Sequence, residues 1–152
     1  MEAAQSSFLS STFWTERIGP VAALKTLEIM KDIQSWEVIS KTGMHIKKEW
    51  QSLAHKYDLD IEISGLNALA AFNFKSNNNL KYKTYITQEM LKKGYLAAMS
   101  VYVCTEHKED IIDSYILELA NIFQKIKDFE NGDNVDKYLD GPVCHSGFSR
   151  LN

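Results

Sequence analysis

A chain of 152 residues fits one domain and can bury about 68–70% of its unfolded surface without staples. A net charge of −3 excludes a general nucleic-acid binder, which needs a basic face. No apolar run approaches the ~20 residues of a membrane span.

Residues 1–16 are rich in Ser and Thr, lack a period and read as an extended loop; "MEAAQSSFLSS" has no basic n-region, which argues against a signal peptide. Pro20 suits the first turn of a helix, because its missing N–H would be unpaired there anyway. From Val21 the run "VAALKTLEIMKDI" carries Val21, Leu24, Leu27, Met30 and Ile33 at helical spacing. Ser35 reads as the N-cap of a second helix, about 35–57, with Trp36, Ile39, Gly43, Ile46, Trp50, Leu53 and Ala54 on one face. Trp36 and Trp50, fourteen apart, are both expected in the core. "IEISG" then alternates, Gly65 and Asn67 supply turn chemistry, and "LNALAAFNF" comes next. This predicts an antiparallel hairpin, 61–65 with 68–74, followed by a second turn at "KSNNN", 75–79. A short helix is expected over 83–93, with Gly94 as its left-handed C-cap, then a third strand over 95–104. A last helix, 107–129, carries Ile111, Ile112, Tyr115, Ile116, Leu119, Phe123 and Ile126 on one stripe; "ENGDN" breaks it and the tail is irregular. The order predicts an α+β fold: helices on one face of a small, mostly antiparallel sheet.

Few catalytic motifs stand out. Cys104, His107, Cys144 and His145 include two close Cys/His pairs, but an adjacent Cys-His is poor geometry for one tetrahedral zinc. The two cysteines read more simply as free thiols in a reducing, cytoplasmic setting. The sequence has no G-x-S-x-G elbow, no G-x-G-x-x-G and no P-loop. The richest stretch is "SSTFWTERIGPVAAL", Ser10 to Leu24, where hydroxyls stand ahead of a helix start. Hydroxyls and loop N–H groups before a helix N-terminus form an anion site; the plainer reading is that Ser11, Thr12 and Thr15 only cap the helix.

"FLSSTFWTERIGPVAALKTLEIM", "TYITQEMLKKGYLAAMSVYVCTEHKEDIIDSYI" and "LDGPVCHSGFSRLN" together resemble, in order and spacing, the C-terminal segment of class III pyridoxal-phosphate-dependent aminotransferases, in the style of the glutamate-1-semialdehyde 2,1-aminomutase branch. The resemblance implies the small C-terminal domain of a fold-type I pyridoxal phosphate (PLP) enzyme. It implies an interface and cofactor-phosphate loop at 1–17 and the small domain at 18–152, with the lysine-bearing domain absent from the chain. It also implies a homodimer, in which Ser11 and Thr12 hydrogen-bond the phosphate of the partner subunit's PLP. The partner implied is a PLP-binding large domain or full-length subunit, with no nucleic acid and no membrane. Lys92 and Lys93 stand where the aminomutases carry a Glu before the Gly-x-Leu matched by Gly94-Tyr95-Leu96, with Glu89 farther back. That shifts the implied reaction from the aminomutase substrate towards amino transfer on a sugar or another amino or keto compound. The alternative is a non-catalytic α+β binding module derived from the same domain.

Overall fold

The computed structural model describes residues 16–147. These fall into two compact units that divide between Ser35 and Trp36.

The first unit holds α1 (Ile18–Asp32). The helix starts three residues before Val21, since Pro20 needs only one of the several first-turn positions whose N–H is unpaired. Its entry is closed by Glu16, whose carboxylate accepts from the backbone N–H of Ile18 and of Gly19, the latter at 3.0 Å. Its exit is a turn in which Gln34 adopts φ 48°.

The second unit is built on α2 (Ser35–Lys56), β1 (Ile61–Leu66), β2 (Leu69–Phe74), α3 (Asn79–Lys92), β3 (Ser100–Tyr102) and α4 (Glu109–Glu130). Ser35 is the first helical residue, and its buried Oγ has no partner among the described residues, so the expected cap is not formed. The helix face at Ile46, Trp50, Leu53 and Ala54 is buried, as its spacing requires. Trp36 is not core: it is 49% exposed against 0% for Trp50, because burial along this face begins only at Gly43.

The hairpin forms as read, one residue adrift at its turn, with Ile61 opposite Phe74 and Leu66 opposite Leu69. β3 adds to the free side of β2, with Leu69 opposite Tyr102, giving the antiparallel order β1-β2-β3. It is three residues long rather than the ten its composition suggests. Tyr95 is drawn into the end of α3, its N–H bonding the carbonyl of Met90 at 2.9 Å, while Gly94 takes φ 86° and bonds Leu91 at 3.0 Å. That is a Schellman ending, and it holds the chain off the ladder. Only Phe72 N–H to Met99 and Val103 N–H to Ala68 extend the pairing beyond β3.

α3 starts four residues before the expected boundary. Tyr82 lies one turn before Tyr85 and Ile86 on the same buried face, and the Asn79 side chain accepts from Phe74 N–H at 2.9 Å, tying the helix start to β2. α4 buries Ile112, Tyr115, Leu119, Phe123 and Ile126 with Ile122 and Phe129, and half-buries Ile116; Ile111 is exposed, because the core-facing stripe passes through its neighbour Ile112. All three helices cover one face of the sheet: Phe72 meets Trp50 at 4.7 Å and Phe123 at 5.7 Å, and Phe74 meets Tyr82 at 5.4 Å, between ring centres. The tail is not wholly irregular. A 3-10 turn, Val135–Tyr138, comes after Gly132 and buries Val135.

Candidate functional site

Ser11 and Thr12, and Trp14 beside them, lie outside the described residues. The helix start downstream of them is described. α1 would offer an anion its first-turn N–H groups, but those of Ile18 and Gly19 are bonded to the Glu16 carboxylate and Pro20 has none. A carboxylate at this position is also favoured by the helix dipole. The helix start therefore carries its own anion, which sequence reasoning missed. The signal was a Glu two residues before the helix.

The Cys/His residues are spread over different elements. Cys104 is exposed just after β3, and its N–H donates to His107 Nδ1 at 3.3 Å, which leaves the ring proton on Nε2. Cys144 is half-buried against α3: its N–H donates to Thr84 Oγ1 at 2.9 Å, and its Sγ lies 3.6 Å from the carbonyl of Leu80. Among the described residues no three His, Cys, Asp or Glu side chains stand together in a way that could hold a metal.

The lysines are tested by the chemistry PLP demands. A lysine that bonds PLP needs its amine neutral, which burial achieves by pushing its pKa down. Ser35 is the only buried polar residue among those described, so no described lysine is buried. Two are pushed the other way. Lys92 is held charged by hydrogen bonds to Glu89 (2.8 Å) and by Asp140 (2.9 Å). Lys125 is held charged by Asp133 (2.6 Å) and the Tyr138 hydroxyl (3.1 Å). These pairs fasten the tail, as do the Gln88 amide contacts with Tyr138 O and Asp140 N–H. The described residues thus do not fit PLP by themselves.

The largely apolar cleft beside β3, about 470 Å³, is lined by Ile46, Tyr95, Ser100, His107, Ile111 and Tyr115. At its base Trp50 Nε1 donates to the Tyr115 hydroxyl at 3.0 Å, and burial pushes that phenol's pKa well up. Among the described residues no helix is long and apolar enough to cross a membrane.

No family model matches the chain. It is similar to glutamate-1-semialdehyde 2,1-aminomutase of Hyperthermus butylicus, 23% identical, over 79% of this chain and 32% of that protein. It is also similar to 3-aminobutyryl-CoA aminotransferase of Cloacimonas acidaminovorans, 26% identical, over 70% of this chain and 27% of that protein. The structure of the PLP internal aldimine form of the FumI protein of Sphingopyxis sp. MTA144 shares its fold: TM-score 0.72 at 15% identity, over 90% of this chain and 34% of that one. The chain thus spans about a third of the length of the relatives it matches. It resembles the C-terminal segment of a class III PLP-dependent aminotransferase.

Proposed function

We propose that this chain serves as the C-terminal small domain of a PLP-dependent aminotransferase or aminomutase, moving an amino group on an amino acid, semialdehyde or sugar-like keto compound. The observation that carries the reading is that its α+β unit has the fold of one third of a PLP-bearing chain. PLP, when bound, supplies the electron sink for amino transfer. The lysine that holds it is assigned to a domain beyond these 152 residues; among the described residues every lysine is exposed or half-buried. Ser11 and Thr12 are assigned to the phosphate of the partner subunit's PLP in a homodimer. That grip rests on their hydroxyls and loop backbone, since Glu16 already occupies the N–H groups at the start of α1.

Two measurements test this. Borohydride reduction of the 152-residue chain with added PLP, then peptide mass mapping, should find no stoichiometric phosphopyridoxyl-lysine; one such site would overturn the assignment of the lysine elsewhere. In the complete enzyme, Thr12→Val should weaken PLP. A hydrogen bond to a charged acceptor is worth about 1.5–3 kcal/mol, or roughly a 10- to 150-fold rise in Kd. Unchanged PLP affinity with a lowered Tm would make Thr12 a helix cap and sink the phosphate role.

A further inference from the structure

The tail beyond α4 divides into two parts. The first, through the 3-10 turn, is anchored in the core: Val135 is buried, Tyr138 packs on Phe129 at 5.3 Å between ring centres, and Lys125 bonds Asp133 at 2.6 Å. The second, residues 140–147, has no buried residue, and only Val143 and Cys144 are half-buried. It is fastened by one stripe of α3. Leu80, Thr84, Gln88 and Lys92 follow each other at intervals of four, so they line up along one side of the helix. Each offers the tail a polar group. Lys92 holds the Asp140 carboxylate at 2.9 Å. The Gln88 amide reads backbone on both sides of Leu139: it donates to Tyr138 O at 2.8 Å and accepts the Asp140 N–H at 2.7 Å. Thr84 Oγ1 accepts the Cys144 N–H at 2.9 Å, and Cys144 Sγ lies 3.6 Å from the Leu80 carbonyl. The chain thus runs out to Lys92 and returns to Leu80.

We infer that residues 140–147 form a strap that opens and closes on this stripe as a unit, while the turn at Val135–Tyr138 and the core beneath it stay folded. The inference does not depend on the function proposed above. The balance of forces carries it. Hydrogen bonds and ion pairs at a surface exchange protein partners for water at little net gain. A segment with no buried side chain adds little hydrophobic burial to hold it. It therefore opens at a small fraction of the cost of unfolding the whole unit. The closed state is still specific, because sliding the tail by one residue would break both bonds of the Gln88 amide. Opening bares Thr84, Gln88 and Lys92 together, so the strap decides whether that side of α3 is covered.

The strap carries its own reporter, since the Cys144 thiol is turned towards α3. Alkylation of the 152-residue chain with iodoacetamide, then peptide mass mapping, gives the labelling rate of Cys144 relative to the exposed Cys104. In the folded chain that relative rate should be severalfold lower than in urea. Gln88→Ala should raise it towards the urea value while Tm barely moves, alanine being a good helix former. Two hydrogen bonds at their usual net worth shift the opening equilibrium roughly 5- to 150-fold. Thr84→Val keeps the side-chain shape, loses the acceptor and should shift it roughly 2- to 12-fold, which maintains the test if Gln88→Ala melts early. Equal relative rates in the folded chain and in urea would overturn the inference, because the strap would never be closed. So would an unchanged rate in a variant that stays folded, because the stripe would not be what holds it. A rise that only tracks lost Tm in both variants would make the tail part of the core and overturn the separate strap. A relative rate that falls as protein concentration rises would assign the stripe to the tail of a second copy, with the same consequence.

Discussion

Gly43 is the tightest point of the fold. It lies in the middle of α2, where glycine costs about 1 kcal/mol relative to alanine, so on helix propensity alone Gly43→Ala stabilises. The hairpin turn reverses that expectation. A Cβ at Gly43 would sit 2.5 Å from the carbonyl carbon of Asn67, closer still to its oxygen, and 3.2 Å from its Cα. Carbon atoms rest at about 3.5–4.0 Å, so the turn must retreat by roughly 1 Å. The obstacle is backbone, which no rotamer change can move aside. Overpacking of this kind costs ~1–3 kcal/mol or somewhat more. The retreat also stretches the bond from Lys47 Nζ to the carbonyl of Gly65, now 2.7 Å, beside a glycine held at φ 76°. With the clash at the upper end of that range, because the obstacle is backbone, and net of the propensity gain, Gly43→Ala should destabilise by ~1–2 kcal/mol, or about 2–8 °C in Tm for a chain of this size. Urea and thermal unfolding monitored by circular dichroism measure it. A variant as stable as wild type, or more so, would refute the close approach of hairpin and helix.

Two further substitutions probe the ends of the same unit. Gly94→Ala meets no atom within 4 Å, so its cost is the left-handed backbone alone, about 1–2 kcal/mol; Gly94→Asn should recover part of it, and a neutral Gly94→Ala would argue against the Schellman ending. Tyr115→Phe leaves the buried indole N–H of Trp50 without an acceptor, at ~1–3 kcal/mol. It also alters the alkaline limb. Burial raises the phenol's folded pKa, so its contribution is intact below the unfolded value of about 10 and is lost as pH rises towards the folded one. Wild-type stability should therefore decline above about pH 10. Tyr115→Phe should decline less steeply, keeping the part contributed by Tyr82 and Tyr85, whose phenols burial also raises, and by Lys92 and Lys125, whose hydrogen bonds to acidic partners hold them charged. Identical alkaline slopes would remove Tyr115 from this account.

The elements were legible where periodicity and punctuation agreed. Ile61 to Phe74 alternates around Gly65 and Asn67, and the hairpin forms there in the matching register. Gly94 after two lysines marked the left-handed residue that ends α3, with the helix itself stopping at Lys92, one residue short of the expected boundary. Sequence reasoning failed where a long-range partner decided. Nothing local shows that α3 begins at Asn79, because its start is tied by a hydrogen bond to β2. β3 failed for a different reason: its composition starts at Tyr95, but the turn that Gly94 signals draws Tyr95 into the end of α3. Trp36 and Trp50 have the same local character, and only the extent of the covering sheet and helices distinguishes the exposed one from the buried one.

The site was less legible than the fold, for a related reason. A hydroxyl-rich loop before a helix has the same sequence whether it caps that helix or grips a phosphate. The structure narrows the choice from one side. With Glu16 bonded to Ile18 and Gly19, the described start of α1 needs no cap from Ser11, Thr12 or Thr15. The plainer explanation of those hydroxyls thereby loses its first-turn acceptor role. The role proposed above for Ser11 and Thr12, a grip on the phosphate of PLP, is the one the class III resemblance implies. Glu16 also sets the sign of any competition: a phosphate drawn to the helix start would have to displace a carboxylate already paired with two N–H groups, so Glu16→Gln should ease anion binding at the start of α1, and an unchanged phosphate affinity in that variant would refute the competition.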